Sequence, residues 1–330
     1  MLRVGIIGLG TISAVHLAVI RKSAQAELVA ACDIDASKAA DAPDCHFYQD
    51  VEEMLSQEKL DVVHLCLPHY LHVPMALLAN RYHCHVLTEK PLGLSVADGE
   101  RLVHPENPEY KIAVCFQNRF NQTTIKLQNI LAETQAHVIG GKGLVIWNRG
   151  QDYYDASPWR GTIVGSGGTL SNQSIHTIDL LQLFCGPFVD CRAQLLHLTD
   201  MKIEVEDSSV ANLHFQNNVR AYFNSTNSYV TDSSVELEIV TTDSKFEIRD
   251  GELTETLKDG ECRLLASDMP NTEFKSYYGS SHGRLIEAFY QSILENTSDY
   301  ISVPEALKSL AIIDAMVQSS EDKDTVNVTR

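Results

Sequence analysis

Apolar residues in the first third of the chain come in short unbroken runs, each followed by a stretch with helical spacing. "RVGIIG" (3–8), "ELVAACD" (27–33), "DVVHLCLP" (61–68), "CHVLTEK" (84–90) and "KIAVCF" (111–116) read as strands, with helices expected over 11–24, 51–57, 70–81 and 95–104. Strands apolar on both sides, alternating with helices, predict a parallel sheet covered on both faces.

Beyond a helix expected over 122–133 the pattern changes. Runs at 141–150, 189–199, 208–216, 219–227, 234–242, 244–250 and 251–257 alternate apolar and polar positions in several places. They are punctuated by turn signals at Asn217-Asn218, Asp243-Ser244 and Asp250-Gly251. That is the signature of an antiparallel sheet with one covered face. A helix holding 172–184 stops at Gly186-Pro187, and helices over 283–296 and 304–319 close the chain. The expected fold is therefore α/β: an N-terminal dinucleotide-binding domain, residues 1–119, followed by an α/β domain with a large, mostly antiparallel sheet, residues 120–330. A length of 330 residues with 44% hydrophobic content also favours two cores over one.

Charge narrows the partners. With 26 basic against 44 acidic residues the formal net charge is −18, which argues against nucleic acid or an anionic membrane and for a small molecule. The apolar run 4–20 is interrupted by Gly8, Gly10 and His16 and lacks a small-residue cleavage site, so it does not read as a signal peptide. No window approaches a membrane span, and a cytoplasmic location is expected. Eight scattered cysteines without a C-x-x-C pair look like buried thiols of a reducing compartment. Cys66, His69 and His72 have ligand-like spacing, but no carboxylate or second thiol completes a set, so no metal is expected.

Two motifs carry chemistry in the first domain. "GLGTIS" (8–13) follows the first strand and opens a helix: Gly8 permits the tight turn, Gly10 lets backbone approach a pyrophosphate, and Ser13 is small enough for close packing. Asp33, at the end of the second strand, is placed to accept from the adenine ribose hydroxyls. Ile34 and Asp35 follow it with no arginine for a 2'-phosphate, so NAD is preferred over NADP. "TEKPL" (88–92) ends the fourth strand, where it puts the Lys90 cation at the ligand-binding edge of the sheet. The contacts expected for the cofactor are Gly8, Gly10, Thr11, Ile12, Asp33, Pro68, His72, Glu89 and Lys90.

"NQSIHTIDL" (172–180) sets Asn172, His176 and Asp179 within an apolar helix, with 172 and 176 one turn apart on one face. Taken in order, "GLGTIS", Asp33, "LPHYLH", "TEKP" and "GSGGTLSNQSIHTIDLLQLFCG" resemble the family of glucose-fructose oxidoreductase, inositol dehydrogenase and rhizopine-catabolism proteins. The resemblance covers nearly the whole chain, including "YYGSSHGRLIEAFYQSI". It implies hydride transfer between a nicotinamide and a sugar or polyol carbon, with Lys90 at the reacting hydroxyl and His176 as proton acceptor. It also implies a homodimer or homotetramer formed through the open sheet face, where Val210, Leu213 and Phe215 are expected near Tyr222 and Val235. Asn172 stands where the family's motif has an aspartate, which removes a charge beside the imidazole, and the match of Asp179 implies a structural role.

An imidazole titrating near neutrality suits removal of a hydroxyl proton, and a lysine suits the developing alkoxide. Arg119, Asn121, Trp159, Arg160, Tyr278 and His282 are further candidates for substrate contact. Three alternatives stand beside this reading: action on a nucleotide-linked sugar, action on a dihydrodiol, and a dinucleotide sensor without catalysis.

Overall fold

A computed structural model of the chain describes residues 1–268 and 281–327. They divide into two compact units, the first holding 1–117 and 281–307 and the second 118–268 and 308–327. The second domain was expected to run unbroken from 120. Instead 281–307 belongs with the first unit, a return of the chain that periodicity alone does not encode.

The first unit is built on six parallel strands: β1 (Leu2–Ile7), β2 (Ala26–Cys32), β3 (His46–Tyr48), β4 (Val62–Leu65), β5 (His85–Glu89) and β6 (Ile112–Cys115). Their order is β3-β2-β1-β4-β5-β6, which reverses direction beside β1, where open α/β sheets bind ligands. Every residue of β4 and β6 is buried, as helices on both faces demand. The helices are α1 (Ser13–Lys22), α2 (Val51–Gln57), α3 (His72–Arg81) and the short α4 (Val96–Gly99), followed by a 3-10 turn where one longer helix was expected. The Asp50 side chain caps α2 by accepting from the Glu53 N–H at 2.8 Å. Pro74 falls in the first turn of α3, where its missing N–H is harmless. The three-residue strand β3 was not foreseen; its burial pattern gives no alternation to read.

The second unit contains α5 (Gln122–Thr134), β7 (Val138–Ile146), α6 (Gln151–Asp155), α7 (Ile163–Ser166), α8 (Ile175–Cys185), β8 (Phe188–Leu196), β9 (Ser208–Phe215), β10 (Arg220–Thr226), β11 (Glu236–Thr241), β12 (Ser244–Arg249), β13 (Glu252–Leu257) and β14 (Cys262–Ser267). After α9 (Ser281–Leu294) and α10 (Val303–Asp322) the chain ends in β15 (Val326–Asn327). Nine strands form one sheet in the order β14-β13-β12-β11-β7-β10-β9-β8-β15, antiparallel throughout except where β7 meets β10.

Alternation decides which side chains face the helices. Leu213, Phe215, Phe223, Leu237, Ile239 and Phe246 are buried on the covered face. Leu213 and Phe215 therefore do not lie with Tyr222 on the open face as expected. The register is one residue out from an apolar patch there, and period two sends the two side chains inward. The open face carries Val210 and the 65% exposed Tyr222 beside ion pairs of Lys142 with Glu236 and Glu238, Lys245 with Glu247, and Arg249 with Glu236. Among the described residues no helix is long and apolar enough to cross a membrane.

Candidate active site

At the end of β1 the chain turns through Gly8, whose φ of +88° is costly for any residue with a side chain. A Cβ there would stand 2.4 Å from the Cys66 carbonyl oxygen, so the turn passes against the end of β4 only because the position is glycine. A Cβ on Gly10 would meet nothing within 4 Å, which leaves its backbone open to a ligand. Ser13 is buried and donates its hydroxyl to the Gly10 carbonyl at 2.6 Å, tying the small third position into the loop. Asp33 accepts from the Leu9 N–H at 2.7 Å with one oxygen and from the Asp35 N–H at 2.9 Å with the other. Each oxygen keeps a lone pair for a ribose hydroxyl.

A cavity of about 350 Å³ borders this turn, lined in part by Leu9, Gly10, Thr11, Ser13 and Lys38. The Lys38 ammonium is paired with Asp41 at 3.2 Å. These features fit a dinucleotide: an open glycine at a helix N-terminus for the pyrophosphate and a fixed carboxylate for the ribose. Thr11 and Ile12 open the helix, and Pro68 leads into the turn that starts α3. His72 is buried, with its ring nitrogens 2.6 Å from the Pro91 carbonyl and 2.9 Å from the Leu67 carbonyl, so it joins the "LPHYLH" and "TEKPL" segments. Burial lowers its pKa while the two carbonyls raise it, and the net direction is down.

Glu89 and Lys90 end β5 in an interior that the sequence did not disclose. Glu89 is 5% exposed, and its carboxylate lies 3.0 Å from His16 Nε2 and 3.7 Å from His282 Nε2. Burial pushes this carboxyl up, but the bonds from the two imidazoles more than offset that and hold it well below the usual range. The chain of contacts continues from His16 Nδ1 to His64 Nδ1 at 2.8 Å and from His64 Nε2 to the Tyr290 hydroxyl at 2.8 Å.

One assignment satisfies every link with both imidazoles neutral. Tyr290 donates to His64, His64 donates to His16, and His16 donates to the ionised Glu89. Burial also lowers the His64 pKa strongly, in keeping with a neutral ring. His282, expected near substrate, approaches Glu89 from α9 at the edge of this network. Lys90 is half-buried beside it; desolvation lowers its pKa, and the neighbouring Glu89 charge raises it in part. Cys115 joins His16, Glu89 and His282 in a group whose ligand-capable atoms lie within 4.8 Å of one another, a cluster distinct from the Cys66 set weighed from the sequence.

In the second unit Asn172 sits in a π-helical turn, Leu170–Ser174, that runs directly into α8. Such widened turns often accompany functional sites. Asn172, Gln173 and His176 are half-buried, while their neighbours Ser171, Ser174, Ile175 and Thr177 are fully covered. The Asn172 and Gln173 amides both donate to the Tyr153 hydroxyl at 3.1 Å.

Asp179, three residues beyond His176, is more deeply buried than Asn172 or His176. It is 1% exposed and accepts from Arg119 Nε at 2.8 Å, Arg119 Nη2 at 2.7 Å and the Ser309 hydroxyl at 2.8 Å. Asn121 precedes α5 as its N-cap residue, with no side-chain cap bond. Trp159 and Arg160 lie in the loop between α6 and α7, and Tyr278 falls outside the described residues.

The entrance to this helix depends on Glu206, which the sequence reading missed. Its carboxylate accepts from the Leu170 N–H at 2.9 Å, and its backbone carbonyl accepts the Thr169 hydroxyl at 3.0 Å. Gly168, at φ +84°, leaves room for it, since a Cβ there would come within 2.1 Å of the carboxylate. The available signal was a Glu-Asp pair directly ahead of a strand, an unusual place for two acids to be buried.

Comparison with known proteins agrees with this geometry. A family model described as an oxidoreductase family, NAD-binding Rossmann fold, matches residues 2–115, and its companion, the C-terminal alpha/beta domain, matches 138–328. The chain belongs to this Gfo/Idh/MocA oxidoreductase family. It is 28% identical over 164 residues to inositol 2-dehydrogenase of Salmonella paratyphi B, a match spanning 47% of each chain, so it covers about half the length of the curated relatives it matches first. It is 23% identical to inositol 2-dehydrogenase of Corynebacterium glutamicum over 90% of this chain and 87% of that one. Among solved structures, the WlbA dehydrogenase from Bordetella pertussis in complex with NADH and UDP-GlcNAcA superposes with a TM-score of 0.88 at 26% identity, covering 100% of this chain and 98% of the other.

The Glu206 carboxyl gives a pH test. Burial raises it to about 7, the Leu170 N–H pulling the other way. A folded pKa above the ordinary 4.5 means that its stabilising contribution is complete below about pH 4.5 and is lost as pH rises through about 7. Glu206→Gln keeps an acceptor oxygen but does not ionise. Between about pH 5 and about pH 8, the stability of Glu206→Gln relative to wild type should therefore improve by about 2 kcal/mol. Urea unfolding at both pH values measures it, and a pH-independent difference refutes the assignment.

Proposed function

We propose that the protein is an NAD-dependent dehydrogenase moving a hydride between the nicotinamide and a secondary alcohol or ketone carbon of a sugar, sugar derivative or cyclic polyol. The observation that carries this reading is a half-buried lysine at the carboxyl edge of the parallel sheet, in the same unit as an open glycine turn and a fixed Asp33. NAD, when bound, supplies the hydride acceptor. Lys90 orients the hydroxyl and stabilises the developing alkoxide, and His176 takes the hydroxyl proton. Asn172, held by Tyr153, presents an uncharged amide one turn away, so the imidazolium receives no carboxylate support from that position. A nucleotide-linked sugar is the second reading, supported by the likeness to the WlbA dehydrogenase along the whole chain. A non-catalytic sensor would have no use for Lys90 and His176, and turnover of any polyol rules it out.

Lys90→Met keeps the stem and loses the charge. It should bind NADH as wild type does, while kcat falls about 10²–10³-fold, as for loss of a transition-state cation. His176→Ala should lose most activity together with the rise of kcat/KM with pH. Steady-state assays against a panel of polyols, aldoses and nucleotide sugars read both, and an active Lys90→Met enzyme with an unchanged pH profile overturns the assignment.

Cofactor choice follows from Asp33. Its carboxylate repels a 2'-phosphate, so NADH should bind at least about tenfold tighter than NADPH. Fluorescence titration with both cofactors decides, and equal affinities contradict the argument.

The open face of the nine-stranded sheet is proposed as the contact of a homodimer or homotetramer, with Tyr222 and Val210 at its centre and the Lys142, Lys245 and Arg249 ion pairs around them. Light scattering at micromolar concentration should give a multiple of the 36.7 kDa chain mass, and a monomer refutes it.

A further inference from the structure

Two arginines flank one tyrosine in the second unit, and only one of them is neutralised. Arg149 lies over the Trp147 ring at 4.8 Å and faces the Tyr153 ring at 5.8 Å, and its guanidinium is paired with Asp232 at 2.9 Å. Arg160 lies 4.4 Å from the centroid of Tyr153 and 5.6 Å from that of Trp159, and it donates one bond, to the Tyr153 carbonyl at 3.0 Å. Among the described residues no carboxylate pairs with Arg160, and its Nε–H is buried without an acceptor. Of the acids close to it in sequence or across the loop, Asp155 accepts from Gln151 at 2.9 Å and Glu204 from the Ile163 N–H at 3.0 Å. In a chain with 44 acidic against 26 basic side chains, a half-buried arginine left without a carboxylate is a costly arrangement unless a ligand anion completes it.

The position ties this cation to the candidate chemistry. The ring under Arg160 belongs to the tyrosine whose hydroxyl receives the amides of Asn172 and Gln173, one turn before His176. We propose that Arg160 is a specificity residue that reads a carboxylate carried by the substrate, so that the dehydrogenase acts on a sugar acid of the uronate type. The inference rests on the dehydrogenase reading above. One open guanidinium matches one monoanion in a two-bond fork, whereas a diphosphate would call for further cations, and Arg149 is already spent on Asp232. Stacking on Tyr153 holds the fork rigid and keeps the guanidinium charged, since arginine does not titrate in this range.

The test uses the full chain and measures binding by calorimetry with NADH present and turnover by nicotinamide absorbance with NAD+ as the oxidant, with four probes: D-glucuronate, D-glucose, UDP-glucuronate and UDP-glucose. Each acid should bind at least about tenfold tighter than its neutral counterpart, the range expected of a charge-assisted pair. Arg160→Met should erase that preference and Arg160→Lys restore part of it, while circular dichroism and NADH affinity report that the fold is intact. Equal binding of acid and neutral probes, or a preference that survives Arg160→Met, overturns the proposal. An equal response of UDP-glucose and UDP-glucuronate to Arg160→Met also overturns it, because the guanidinium would then be reading phosphate. Turnover confined to neutral sugars removes the sugar-acid assignment and leaves the dehydrogenase reading standing. Arg160-dependent binding of the acids with no turnover of any probe keeps the carboxylate site and removes the dehydrogenase reading.

Discussion

A carboxylate buried at the end of a parallel strand is the constraint around which the first unit is arranged. Ionised and unpaired, Glu89 would cost several kcal/mol. Its neighbours meet that cost from three directions: His16 from α1, His282 from α9, and the backbone of Lys90 beside it. Because His16 must also satisfy His64, and His64 must meet Tyr290, the network reaches from the glycine turn's own helix through the middle of the sheet to a helix more than two hundred residues away in sequence. This explains why 281–307 returns to the first unit. The segment brings the imidazole and the phenol that the polar core lacks.

The second unit solves a related problem at a helix entrance. The first turn ahead of α8 is a π turn, and its free N–H groups need acceptors. Glu206 supplies one, Gly168 makes room for it, and Asn227 braces the neighbouring Thr169 hydroxyl at 3.1 Å. With the start of the helix fixed and Asp179 clamped by Arg119 and Ser309, the stretch from Asn172 to His176 has little freedom to rotate. The polar residues that looked out of place in an apolar helix thus divide by depth. Asp179 is buried and paired with Arg119 and Ser309, and Asn172 and His176 remain half-buried.

Much of this was legible in the sequence. Apolar runs of fixed length gave the central strands of both sheets, since burial on two faces or on one leaves different periods. The glycine turn, Asp33 and the Glu-Lys-Pro segment were visible because each needs a particular residue type at a particular place. What stayed hidden has a common cause. Glu206, His16, His64 and Tyr153 do their work through partners distant in sequence, and no local period reports a hydrogen bond over such a gap. Leu213 and Phe215 were misplaced for another reason: alternation shows that a strand has two faces but not which face is covered. Arg119 looked like a ligand contact from its loop position, and its bidentate pair with Asp179 was not visible from there.

Net charge illustrates how far a global quantity can mislead about a site. At −18 the chain repels anions as a whole, yet the dinucleotide proposed here is an anion. The field at a site is set within a few ångströms, where burial lowers the dielectric and a single unscreened group outweighs many solvated ones. In the first unit that group is the N-terminus of α1 together with the Lys90 ammonium, whose charge Glu89 helps to maintain against burial. In the second the proposed group is one guanidinium on a tyrosine face. Acidic residues spread over the exterior pair with surface cations such as Arg21, Lys142, Lys245 and Arg263.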